Sequence, residues 1–473
     1  MKSLTTILRS GLAASAFITA ATALQAQAGA DEVEQLREQI RALDQKLRVL
    51  ERKTEIKDEE SAAAAKAAAK LTATDKGFTI ASGDGANTLR LRGLVQADAR
   101  AFFNDDPALT SNNTFLLRRA RLIFEGTFNK NVSFLLVPEF AGGSPSIVDA
   151  YVNYAVKPSL QFRIGRFREP VGLEQLQSDA VAFFTERSIV SQLLPNRDLG
   201  VQVGGDLRNG TLSYAVGIFN GVPDGSNNGA VSGTTVNADS DNAKDIAGRV
   251  FAQPFKNNTD SALKGLGFGI GASFGREKPA SGLASYRTDA QQTAFAYRTT
   301  TIIDGKTTRI SPQANFYSGP LGLQAEYALS TINARPGANL PKVEVTNKAW
   351  QFSAGYVLTG EDSGYTGVVP KTNFDPAAGT WGAFEVVGRY DQLSIDDALF
   401  APNPTAALSL ADPAANPSDI KTFGLGLNWY LTKTLRATFN YFHTDFSNNV
   451  ETPTRPVLRK DENALITRVQ VSF

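Results

Sequence analysis

Cysteine is absent from the 473 residues, and histidine and methionine occur once each. Such a chain builds no disulfide scaffold and no thiol nucleophile. Serine hydrolysis needs a general base, and only His443 offers an imidazole. An excess of one charge is lacking too. Lysine and arginine total 48 against 47 acidic residues, so no global field recruits nucleic acid. No metal-ligand spacing and no phosphate-binding glycine loop stands out, and no cofactor is implied. Beyond the N-terminal segment there is no long apolar run, and the mean hydropathy is negative. Helical membrane proteins need spans of roughly 20 apolar residues. A β-barrel escapes that requirement, because it hides its apolar side chains at every second position. The length is compatible with one large closed sheet that has no dry core.

The chain opens with an address. Lys2 and Arg9 flank the start of an apolar, small-residue stretch at 11–22, and Ala26-Gln27-Ala28 fits a small-x-small cleavage site. Residues 1–28 therefore read as an export signal, with the mature chain starting near Gly29. Val33, Leu36, Ile40, Leu43, Leu47 and Leu50 then recur at alternating steps of three and four. Glu34, Arg37, Glu38, Arg41, Asp44 and Lys46 fill the other faces. This narrow a/d seam predicts a coiled-coil arm, with an Ala/Lys-rich spacer at 61–70, over residues 29–75.

After Thr72 the period changes to two, and residues 76–473 read as the barrel. Leu89, Leu91, Val95 and Ala97 alternate with Arg90, Arg92, Gln96 and Asp98. Phe423, Leu425, Leu427 and Trp429 alternate with Gly424, Gly426 and Asn428. In a strand the two sets face opposite sides. The segments run about ten residues, enough for a tilted strand to cross a bilayer. Aromatics gather at segment ends, among them Phe102, Phe103, Trp381, Tyr390, Trp429 and Tyr430, as in an interfacial girdle. The last segment alternates and ends on Phe473.

Sixteen strands are expected near 89–101, 115–127, 132–141, 147–156, 160–167, 199–207, 211–219, 245–252, 265–275, 308–317, 321–330, 348–358, 382–391, 421–430, 434–446 and 463–473. The fold class is thus all-β: a sixteen-stranded antiparallel transmembrane β-barrel with an N-terminal helical coiled-coil arm. Connections on the near side, where the barrel begins and ends, are mostly short, and those on the far side are mostly long. Residues 359–380 break this rule with a long near-side connection.

The third far-side connection, 168–198, carries Leu173, Leu176, Val181, Phe183, Phe184, Ile189, Leu193 and Leu194. Such residues need burial, so the segment is expected to fold into the lumen and narrow it. Its charged residues would then border the solute path: Arg168, Glu169, Glu174, Asp179, Glu186, Arg187, Arg197 and Asp198.

Two stretches are specific enough to carry a resemblance. Arg118-Arg119-Ala120-Arg121-Leu122-Ile123-Phe124-Glu125-Gly126 is similar to the second strand of the phosphate-selective porin family, the O and P type. Gly165-Arg166-Phe167-Arg168-Glu169-Pro170-Val171-Gly172-Leu173-Glu174, running on to Thr185-Glu186-Arg187, resembles the start of that family's inward loop. Tyr356-Val357-Leu358-Thr359-Gly360-Glu361 and residues 381–391 look like later strands. The likeness extends in order from about residue 85 to 473. It implies a trimeric barrel in the outer membrane of a Gram-negative bacterium, bordered by lipid and lipopolysaccharide. It also implies an inward loop that carries the selectivity residues. By position, Arg118 and Arg119 match a paired arginine of the ladder that gathers anions. Arg187 matches an arginine of the constriction, and Glu139 an acidic residue near the binding site. Gln175 stands where phosphate-specific members have lysine. The far-side Arg276, Arg287 and Arg298 are spaced apart where those members have a dense cluster.

The residues read independently point the same way. A dianion leaving water needs several convergent donors, and arginine presents a planar fork. Arg90, Arg92, Arg118, Arg119, Arg121, Arg163, Arg168 and Arg187 are candidates to line such a path, with Glu139 and Gln175 beside them. Alternatively, Glu125, Asp98 or Glu139 pair these arginines and leave only a pore field. The chain is then a general, cation- or neutral-solute porin. Either version leaves the arm two roles in the periplasm, trimer assembly or attachment to peptidoglycan. An enzyme within the barrel is disfavoured, since the parity of His443 with Leu435 and Tyr441 puts it on the lipid side.

Overall fold

In a computed structural model, residues 26–103, 112–226, 242–281, 283–403, 405, 408–447 and 460–473 are described. Residues 1–25 of the expected export signal lie outside that set. The chain divides into two units, Met1–Ala68 and Ala69–Phe473.

The first unit contains one helix, Ala26–Ala67. It takes in residues 61–67 of the Ala/Lys-rich spacer. Leu36, Ile40, Leu43, Leu47 and Leu50 form a stripe along it, and all five are more than half exposed. Ion pairs three or four residues apart support the helix locally, such as Arg48–Asp44 at 3.1 Å and Arg52–Glu55 at 2.9 Å.

The second unit starts earlier than expected. Lys70–Thr74 and Gly77–Ala81 form a hairpin, and its second strand pairs with the beginning of Thr88–Phe102. Residues 70–74 therefore belong to the sheet and not to the arm. Gly77 supplies the turn: its φ is +97°, and a Cβ there would lie 2.3 Å from the Leu91 carbonyl oxygen.

Sixteen antiparallel strands then close a barrel, the first being Thr88–Phe102 and the last Glu462–Ser472. Each expected segment overlaps one of them, although several far-side ends run longer, as in Ile302–Ser318. Closure is direct. Ala464 pairs with Phe102 and the register runs to Ser472 opposite Leu94. Gly93 and Phe473 exchange both backbone hydrogen bonds, at 2.9 and 3.1 Å. The terminal ring covers Gly93, where a Cβ would come within 2.6 Å of it.

The faces settle which solvent lies outside. Leu117, Ile164, Ile218, Phe274, Phe352 and Val469 point outward, each about half exposed. Gln96, Asp98, Arg389, Asn428, Asn440 and Arg468 point inward and are buried. A water-soluble sandwich has the reverse arrangement, and an apolar band of this extent requires hydrocarbon.

One expectation fails in part. The wall does hold a dry core. Ile189, Val190, Leu193 and Leu194 of the inward segment pack with Phe295 and Leu399 from two other far-side connections, and with Ala328, Val345 and Leu393 of the wall. Long loops bring their own apolar residues inside, and strand alternation carries no sign of that.

Candidate functional site

Local geometry first places the arginines. Gln96 pairs with Arg119 and Ala97 with Leu117, so Arg118 is an extra residue in the ladder. A bulge of this kind re-aims side chains. Leu117 stays outside, while Arg118 and Arg119 both turn to the lumen. Arg121 resumes the alternation opposite Glu139.

Inside the wall, residues 169–196 lie against lumen-facing side chains, with a short helix at Leu173–Leu176 and a 3-10 turn at Ile189–Leu193. Wall side chains take up the loop's backbone groups. Glu326 accepts from Leu173 N at 2.8 Å and Glu174 N at 3.1 Å. Asn428 donates to Phe183 O at 2.9 Å, Arg436 to Ala182 O at 2.8 Å, and Gln470 to Ala180 O at 2.9 Å. Phe183 and Phe184 pack on Val387, Phe442 and Ala464. An unpaired buried peptide group is costly, so these bonds hold the loop in one place.

The loop brings two carboxylates to the arginines. Asp179 lies 2.5 Å from Arg121, 2.5 Å from Arg187, 3.2 Å from Arg168 and 3.4 Å from Arg119. Glu186 lies 2.6 Å from Arg118 and 2.9 Å from both Arg100 and Arg468. Asp98 pairs with Arg100 and Arg468, and Glu139 with Arg121. Burial alone raises a carboxyl pKa. For Asp179 the guanidinium groups of Arg119, Arg187, Arg168 and Arg121 overcome it and hold the group well below the usual range. Against the same burial, Arg118 and Arg468 do this for Glu186. Seven guanidinium groups thus meet four carboxylates, leaving an excess of three positive charges. Arg118 has the most exposed side chain among them, at 30%.

The remaining candidates lie apart from this cluster. Arg90 and Arg92 share Glu125 near the near-side mouth, at 3.1 and 2.8 Å. Arg163 stacks over Tyr151, 4.4 Å from the ring centre. Gln175 is buried within the loop and donates to Ser191 O at 3.1 Å. Sequence reasoning passed over Arg100 and Arg468 as site residues. Their parity with Arg92 and Gln470 was the available signal, but nothing in the sequence shows that the loop reaches them. It also passed over Arg389, which holds Glu174 at 2.7 Å and Asp289 at 2.8 Å.

The long near-side connection now has a physical account. Tyr365 donates to Leu173 O at 2.6 Å, and Gln177 donates to Tyr365 O at 2.8 Å. Ser363 N bonds Gly319 O at 2.8 Å. The segment enters the lumen and supports the inward loop from below. Removing the hydroxyl in Tyr365→Phe leaves a loop carbonyl without its donor. It is expected to destabilise the loop by about 1–2 kcal/mol, seen as more frequent substate flicker in single-channel traces. A noise spectrum equal to wild type contradicts this support.

The family described as phosphate-selective porin O and P matches residues 89–473. Among solved structures, DcaP, an outer membrane channel of Acinetobacter baumannii, is 14% identical with a TM-score of 0.50, covering 82% of this chain and 98% of its own. The anion-selective porin from Comamonas acidovorans is 14% identical with a TM-score of 0.48, at 82% and 100% coverage. At such identities these likenesses concern the fold alone. No protein of curated function matches. With the family match covering the whole barrel, the chain belongs to the phosphate-selective porin O and P family.

Proposed function

We propose that this outer-membrane porin passes small hydrophilic solutes by passive diffusion, with a preference for anions such as phosphate. One observation carries this reading: the cluster around the inward loop keeps three more guanidinium groups than carboxylates. Arg90 and Arg92 share one carboxylate, and Arg163 pairs with no carboxylate among the described residues, so the positive excess extends towards the near side. Conduction requires several weak sites in series, and partly neutralised arginines meet that requirement. In a planar bilayer under a salt gradient, the zero-current potential should report anion preference. Phosphate should reduce chloride current in a saturable way. Arg118→Ala and Arg187→Ala should each lower the anion preference; unchanged potentials in both would remove the cluster from the selectivity mechanism.

A second reading is favoured by the ion pairs themselves. Each arginine of the cluster already has a carboxylate within 3.4 Å. If these pairs persist during transport, the pore is a general one, and its zero-current potential stays near zero.

The arm is proposed to lie in the periplasm and to join three copies as a parallel coiled coil. In a heptad frame with Val33 at a, facing g and e positions of in-register copies pair Glu32 with Arg37, Lys46 with Glu51, and Lys53 with Asp58. All three pairs are opposite in sign. Deletion of residues 31–70 should abolish trimers on native gels while leaving single-channel conductance intact. If trimers survive and the protein no longer sediments with peptidoglycan, the arm is a tether instead. Hydrolytic activity is not expected, since the outward-facing His443 has no serine against it among the described residues.

A further inference from the structure

The single imidazole sits at the far end of the wall, on its outer face. His443 follows Phe439 and Tyr441 outward along Leu435–Ser447 and pairs with Asn463 on the last strand. Its Nδ1 lies 2.8 Å from Asn463 Oδ1, and its Nε2 lies 3.0 Å from Asp445 Oδ1. Tyr441 donates its hydroxyl to the same Asn463 oxygen at 2.6 Å. Both ring nitrogens therefore face oxygen acceptors. A neutral imidazole has one N–H; placed on Nδ1 towards Asn463, it leaves the Nε2 lone pair beside the Asp445 carboxylate.

A third group converges on the same point. One ligand atom from each of His443, Asp445 and Asp461 lies within 4.8 Å of the other two. Continued one step past Thr444 and Glu462, the register sets Asp445 opposite Asp461.

We propose that His443 Nε2 and the carboxylates of Asp445 and Asp461 bind a divalent metal ion of the zinc class. Asn463 Oδ1 accepts the hydrogen bond from Nδ1–H and so leaves the Nε2 lone pair for the ion. That is the usual support for a metal-binding histidine. One imidazole with two carboxylates suits Zn²⁺ better than Ca²⁺ or Mg²⁺, which take oxygen ligands. Three protein ligands leave a coordination position open to water or an anionic oxygen outside the wall. The ion ties the last two strands together at their far ends. Residue spacing in the sequence conceals the site, because two ligands come from one strand and the third from beside the next.

With one histidine and no cysteine, the chain has no rival imidazole or thiolate ligand. The full protein, purified in detergent without a histidine tag and stripped with chelator, is titrated with Zn²⁺ by calorimetry. One ion per chain is expected, undisplaced by excess Ca²⁺. His443→Ala should abolish binding, and Asn463→Ala should weaken it roughly 10- to 100-fold. Pore conductance should not change in either, since both side chains face away from the lumen. Absent Zn²⁺ uptake by the wild type overturns the proposal, as does wild-type affinity in His443→Ala. Should that variant fail to fold, Asp445→Asn decides in the same way: lost binding supports the site, and retained affinity overturns it.

Discussion

Asp179→Asn is expected to increase anion selectivity and to lower stability in one step. The carboxylate lies within 3.4 Å of Arg119, Arg121, Arg168 and Arg187. Asparagine keeps the shape and removes the charge, so the local positive excess rises from three to four. In a salt gradient the zero-current potential should move further towards the chloride limit. Four cations that lose a shared anion repel one another in a poorly solvated place. Breaking a buried pair by removing one partner costs roughly 3–5 kcal/mol. The denaturation midpoint should fall accordingly. Unchanged selectivity, with the loop still closed, would show that solutes do not pass this cluster. The wild-type charge state should also survive acid. The folded-state pKa of Asp179 is depressed. Its stabilisation is therefore fully present above the unfolded value of about 3.9 and fades only as pH falls through the lower folded value. The Asp179 contribution should thus persist from neutral pH down to about 4, and a difference between wild type and Asp179→Asn that vanished near pH 6 would contradict the assignment.

Arg389→Ala is expected to release the inward loop. Its guanidinium holds Glu174 of the inward loop at 2.7 Å and Asp289 of another far-side segment at 2.8 Å. It also donates to Glu186 O at 3.1 Å and covers the Phe184 ring at 4.3 Å. One wall residue thus ties together two loops that share the lumen. Its removal strands two buried carboxylates, again at roughly 3–5 kcal/mol. The energetic solution is for the loops to move apart and let water in. Single-channel conductance should rise and become noisier, and protease should reach residues 169–196. Arg389→Lys keeps the charge but loses the fork that reaches both acids, so partial rescue is expected. Wild-type conductance in both variants would show that the apolar packing of Phe183 and Phe184 suffices to hold the loop.

Much of this was legible in advance. Strand alternation in stretches such as Leu89–Asp98 and Phe423–Trp429 depends only on neighbouring side chains taking opposite solvents, and it located all sixteen wall strands. For the connection 168–198, eight large apolar residues signal burial in the sequence, while the wall residues they meet are not signalled there. The far-side strand ends exceed the expected bounds, as in Ile302–Ser318, because Ile302-Ile303-Asp304-Gly305-Lys306-Thr307 lacks an apolar/polar alternation in residue type.

What composition and periodicity determine here is local: a wall with hydrocarbon outside, its closure, and a loop that has to go in. Contacts across tens to hundreds of residues are set by the closed wall. It brings Arg100, Arg118 and Arg468 from three strands onto Glu186, and Arg119, Arg121 and Arg168 onto Asp179. A one-residue bulge turns Arg118 and Arg119 to the same side against the period of two. Charge pairing is a property of distance in space, and alternation along a strand carries only direction. The fold could therefore be read from the chain, whereas the balance of charge around the inward loop emerged only once the wall had closed around it.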